Sequence, residues 1–184
     1  MKAIVILLGA VAIGLLAGGG MAAWDHWRAL PPKAIARGLA GELECTSPDE
    51  TARTCEALAS YSRGAEGYSS TGTVYAGPSP GGSVTLTLTT PFTVRGDYFC
   101  TTLTRSIVMG AKVTIGGEVM PRNPEALNFL AKRLAPLMEV ERCTRFVEDA
   151  NGITEEAWVG GKRNPTLDVP IRWVKPEDGY RVGP

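Results

Sequence analysis

Four carboxylates near residue 150 are the side chains whose types and spacing come closest to a chemical site. Glu148, Asp149, Glu155 and Glu156 bracket an Asn151-Gly152 turn. A two-residue turn there sets Glu148 opposite Glu155, and directly opposed like charges destabilise a hairpin. Arg142, Arg145, a cation or solvent would have to compensate. Converging carboxylate oxygens are what calcium requires, so these four residues are the one metal candidate. A carboxylate pair can also do acid–base work on a glycoside, which keeps a hydrolase as the second alternative reading. A solvated hairpin tip explains the same residues without a ligand.

Other apparent motifs dissolve on chemical grounds. Gly77-Pro78-Ser79-Pro80-Gly81 matches G-x-S-x-G in letters. A nucleophile elbow uses the N–H of the residue after the serine for its oxyanion hole. That residue is Pro80, which has none, and the only histidine is His26. Arg95-Gly96-Asp97 spells an integrin tripeptide, but these are the residues a tight turn prefers. Trp158 and Trp173 read as core or rim residues, as do Tyr61, Tyr68, Tyr75, Tyr98 and Tyr180. Such side chains can also line a ligand cavity or meet a partner.

Cys45, Cys55, Cys100 and Cys143 are isolated from one another, with no C-x-x-C. Zinc sites use closely spaced pairs, so two disulfides are the better expectation in an exported chain. Three connectivities are open. Cys45–Cys55 is favoured because the residues between them form a loop flanked by strands, and Cys100–Cys143 follows by elimination.

The elements that position these residues follow an N-terminal address. Residues 1–23 carry Lys2 as their only charge and contain an apolar run over 3–16. A signal peptide has this form. So does an uncleaved apolar helix of about 30 Å, with Trp24 and Trp27 in the aromatic belt. No cysteine follows the run to carry a lipid. Arg28, Lys33 and Arg37 follow it closely, and by positive-inside counting they would hold the domain in the cytoplasm; the cysteines argue for export. Gly14 and Gly18 match a small-xxx-small pattern, which is ordinary in an apolar segment. Residues 24–40 read as a linker, with Pro31-Pro32 stopping any preceding helix. Residues 41–184 form the extracytoplasmic domain.

The chain has 184 residues with 19 basic against 19 acidic, and without Lys2 the balance is 18 to 19. Such neutrality lacks the footprint of a nucleic-acid binder. The 22 glycines and 13 prolines suit short strands joined by turns. Leu43 and Cys45 alternate with Glu42 and Glu44, a half-buried strand. Residues 55–63 and 68–75 form a hairpin about residues 64–67, and 77–82 is a loop. Residues 83–90 alternate cleanly, with Val84, Leu86 and Leu88 on one face, until Pro91 marks an edge or bulge. A strand follows over 98–103, and one or two more over 107–119. Asn123 and Pro124 open an amphipathic helix through Leu127, Leu130, Ala131, Leu134 and Met138, ended or kinked by Pro136. Hairpin strands 142–147 and 153–159 come next, then a last pair at 171–174 and 180–182. The expected fold is mainly β: an antiparallel barrel or sandwich of about nine short strands with one helix.

No nucleotide loop, triad or metal cluster stands out, and no cofactor is implied. The expected function is a non-enzymatic binding or structural module of the cell envelope, membrane-anchored or secreted. Its partner would be an envelope protein. The first alternative is a lipocalin-like carrier of a small apolar ligand.

Overall fold

The computed structural model describes residues 32–184. The apolar run, His26 and the first part of the linker, residues 24–31, lie outside the described residues. Eight strands build a wall: β1 (Leu43–Thr46), β2 (Ala57–Gly64), β3 (Gly67–Ser79) and β4 (Gly82–Arg95), then β5 (Tyr98–Thr102), β6 (Glu141–Asp149), β7 (Gly152–Val159) and β8 (Val169–Val174). Each pairs antiparallel with the next. β8 then pairs with β1, Val174 opposite Leu43 and Ile171 opposite Thr46. The architecture is therefore a closed up-and-down barrel and not a sandwich. Closure pairs the edges that an open sheet would leave exposed.

Tight hairpins keep successive strands adjacent. Gly64 pairs with Gly67, Ser79 with Gly82, Arg95 with Tyr98 and Asp149 with Gly152. The last of these shifts an expectation. Asn151 stays out of the left-handed region, its N–H bonds Asp149 Oδ1 at 2.7 Å, and Gly152 takes φ +130°. The turn is therefore Ala150-Asn151, and the register differs from that of an Asn-Gly turn.

Following the register around the wall puts one set of alternating residues inside. Tyr61, Phe92, Ile171 and Trp173 form the buried core with Ile35, and Tyr68, Phe99, Phe146, Ile153 and Val169 pack against them. Tyr61 touches three rings, with centroids 5.7 Å from Phe92, 6.3 Å from Phe99 and 5.8 Å from Trp173. Leu43 and Cys45 do not face this core. They lie on the outer face in a second cluster with Cys55, Val174, Leu58 and Tyr180, so it is Glu44 that points inward.

The linker contributes a helix, α1 (Lys33–Leu39). Its Ile35 is fully buried against the barrel core. Gly38 faces Tyr61 so closely that a Cβ there would lie 2.5 Å from Tyr61 Cδ2. Only glycine lets α1 seat on that ring.

Four further segments depart from the sequence reading. Residues 105–109 form helix α2 (Arg105–Met109), capped by the Thr104 hydroxyl, and the strands follow it as Lys112–Ile115 and Glu118–Val119. The 77–82 loop is largely strand, with a register irregularity between Tyr75 and Gly77. Pro91 does not break β4. On one edge β4 pairs Lys112–Ile115 through residues 84–87 and β5 through residues 92–95. Pro91 falls in the gap between them, the edge position expected of it, where that side has no ladder. Arg181–Val182 does not pair with β8; it runs parallel to Thr54–Cys55.

The expected amphipathic helix is α3 (Pro124–Leu134). Asn123 Oδ1 accepts from Glu125 N at 3.0 Å and Ala126 N at 3.1 Å. A 3-10 turn containing Pro136 follows it. Together α2, the two short strands and α3 form a lobe inserted between β5 and β6.

Candidate functional site

The four acidic residues of the β6–β7 hairpin do not converge. Glu148 faces Ile153, and Glu155 faces Phe146, because the turn sits one residue earlier than an Asn-Gly turn would. Glu148 is exposed, with Lys33 Nζ 3.9 Å away. Asp149 is occupied by its own turn. Glu156 lies on the outer face between Arg145 at 2.7 Å and Arg163 at 3.3 Å. Their hydrogen bonds hold its carboxyl below the usual range. Glu155 points inward. Neither the calcium reading nor the opposed Glu148–Glu155 pair survives this geometry.

Glu155 instead joins Glu44 inside the wall, a pairing that sequence spacing does not reveal because 110 positions separate them on β1 and β7. Glu44 is 5% exposed and accepts a short hydrogen bond from the Tyr61 hydroxyl. Burial, and then the charge of Glu155, push its carboxyl up to about 8; Tyr61 and Arg142 oppose the rise. Burial also raises Glu155, against the pull of the Arg142 guanidinium 4.0 Å away. The Thr144 hydroxyl lies close enough to favour the charged form of Glu155, although it makes no well-formed hydrogen bond. Two buried carboxyls this near one another cannot both ionise cheaply. The cluster can hold a proton, but none of the clefts described below is lined by either acid.

A second polar array covers the outer face. Arg163 binds Asp168 through both guanidinium nitrogens, and its Cζ sits 4.9 Å from the Trp158 ring centre. Arg145 lies over Trp158 and Tyr98 at 5.4 and 5.7 Å. Trp158 is thus a platform beneath cations, whereas Trp173 is core. These charges are satisfied among themselves.

The lobe presents the opposite chemistry. Met109, Val113, Ile115, Val119, Met120 and Leu127 line a groove of about 650 Å³. Val119 is 69% exposed at its rim. Three contacts fix the segments that surround the groove. The Asn123 cap starts α3 on one side. Arg122 Nη2 donates to the Met109 carbonyl at 3.1 Å. Gly116, at φ +59°, lies so close to Gly81 that a Cβ would come within 2.4 Å of its carbonyl oxygen. Lys112 and Arg122 are the charged residues of its lining. The available signal was Val119-Met120 before Pro121, an apolar pair at a strand end with no further strand to cover it.

Cys45–Cys55 and Cys100–Cys143 are both formed. Persistent disulfides point to an oxidising, extracytoplasmic setting. Cys100, Cys143 and Glu141 lie close enough together for a metal, but both sulfurs are joined to one another. Among the described residues no helix is long and apolar enough to cross a membrane. Comparison with known proteins finds no matching family model, curated protein or solved structure.

Proposed function

We propose that this is a non-enzymatic binding module of the cell envelope, with the barrel as scaffold and the lobe groove as binding surface. The observation that carries this reading is the groove itself, an apolar concavity within the ~300–1,000 Å³ range of ligand sites. It is rimmed by Val119 and Met120, which no described residue covers. Its occupant is an apolar ligand or the apolar side chains of an envelope partner. Residues 1–23 would tether the module to the membrane, or direct its export and be cleaved.

The test is a titration with the apolar fluorophore anilinonaphthalene sulfonate, comparing the wild type with Val119→Asp and Met120→Asp. Binding should weaken about tenfold or more in both variants, with melting temperatures within a degree or two of the wild type. Equal binding by all three proteins would sink the groove.

The eight-strand up-and-down topology favours one other reading, a lipocalin-like carrier that binds inside the wall. Against it, Tyr61, Phe92 and Trp173 occupy the interior and Ile35 packs over them. Saturable binding unaffected by groove changes but lost on Phe99→Trp would move the ligand inside the barrel.

A further inference from the structure

The two disulfides differ in what can reach them. Cys45 and Cys55 are 0% and 1% exposed beneath the C-terminal segment. Cys100–Cys143 joins directly opposed residues of β5 and β6, on the outer face beside Trp158, which pairs with Cys143 across β6 and β7. Cys143 is half-buried. Cys100 is itself 4% exposed and lines a cleft of about 480 Å³ with Tyr68, Phe92, Arg95, Thr101 and Glu141. A Glu141 carboxylate oxygen lies 3.8 Å from Cys143 Sγ. Alone it would repel an incoming thiolate, but Arg95 grips both of its oxygens at 2.7 and 3.0 Å. The approach is therefore close to charge-neutral.

We propose that Cys100–Cys143 is a thiol–disulfide exchange site, opened by a dithiol reductant while Cys45–Cys55 stays closed. One thiolate of the reductant attacks Cys143 Sγ. The S–S bond breaks, and Cys100 leaves as a thiolate that takes a proton from solvent. The second thiol of the reductant, deprotonated, attacks the reductant's sulfur in the mixed disulfide and releases Cys143, which is protonated in turn. The cystine gains two electrons, and the reductant leaves as its own disulfide. Attack requires an in-line approach to a sulfur, and of the four cysteines Cys143 alone is not buried. β5 is five residues long, and the chain passes from its end into α2. Opening the bond loosens the strand from which the groove-bearing lobe departs.

The experiment is a graded dithiothreitol series on the full-length chain, quenched with acid, alkylated and mapped by peptide mass spectrometry. Cys100 and Cys143 should label at a reductant concentration at least about tenfold below that needed for Cys45 and Cys55. Simultaneous opening, or earlier opening of Cys45–Cys55, overturns the proposal. Arg95→Gln leaves Glu141 uncompensated and should slow opening of Cys100–Cys143 several-fold, with Cys45–Cys55 unchanged. An unaltered or faster rate would overturn the role given to Arg95.

Discussion

Inside the wall, Glu44 and Glu155 are held at 5% and 8% exposure among aromatic rings, while in the lobe Val119 and Phe129 stand 69% and 61% exposed. The barrel hides its charges and the lobe displays its apolar side chains, the reverse of what either residue type prefers alone. Ring closure explains the first half. Strands paired on both edges present an inner face whatever residue alternation puts there, so an inward glutamate must find a hydroxyl or a guanidinium. The lobe contains two short helices and two short strands, which have too few partners to bury every apolar side chain. Stability concentrates in the barrel, and the surface left for recognition lies in the lobe.

Removing the Trp173 ring is the severest way to test that division. Trp173→Ala should cost about 3–5 kcal/mol in urea unfolding, as large-to-small changes do in filled cores. A loss below about 1 kcal/mol would mean that the interior is loosely packed, and would revive a carrier.

The next effect depends on pH. The folded-state value of Glu44 is raised to about 8, above the ordinary 4.5, so the folded protein binds the extra proton. Its contribution is complete below about 4.5 and is lost as pH rises through about 8. The wild type should therefore lose stability across that window, with the slope flattening above about 8. Glu44→Gln, which keeps an acceptor for Tyr61 but cannot ionise, should show a flatter profile and be the more stable protein at pH 9. Matching slopes from pH 5 to 9 would assign the titration to another group.

The smallest effect belongs to the lobe. Asn123→Ala removes the acceptor for two α3 amides and should cost about 1 kcal/mol. Because Asn123 and Pro124 line the groove, apolar-dye affinity should fall even where the melting temperature barely moves. A loss as large as that of Trp173→Ala would erase the contrast between the two regions.

Local rules made some elements legible. Asn123-Pro124 marked the start of α3, and isolated cysteines in an exported chain implied bridges. Residues 64–67 marked a hairpin, and the period-two run after Ser83 marked a strand. Local rules failed where a distant neighbour decided the outcome. Pro91 marked an edge position, and one edge of β4 is indeed unpaired there, but the strand runs on past it because Ser69 pairs with Pro91 on the other edge. Residues 107–109 looked like strand because Ile107 and Val108 are β-branched, yet the Thr104 cap and packing against α3 made them helical. Lys33–Leu39 looked like linker, since its burial depends on the Tyr61 ring.

The sequence by itself determined that the chain carries an N-terminal apolar run and a mainly β domain with four isolated cysteines. Composition, period and spacing are local quantities, and one sequence displays them fully. Only the tertiary structure decided that the sheet closes, because closure depends on β8 finding β1 across 122 residues of intervening chain. With closure came the face on which each strand's alternation lands. Register turned Glu44 inward toward Glu155, put Trp158 outside under two arginines, and left the lobe's apolar groove uncovered.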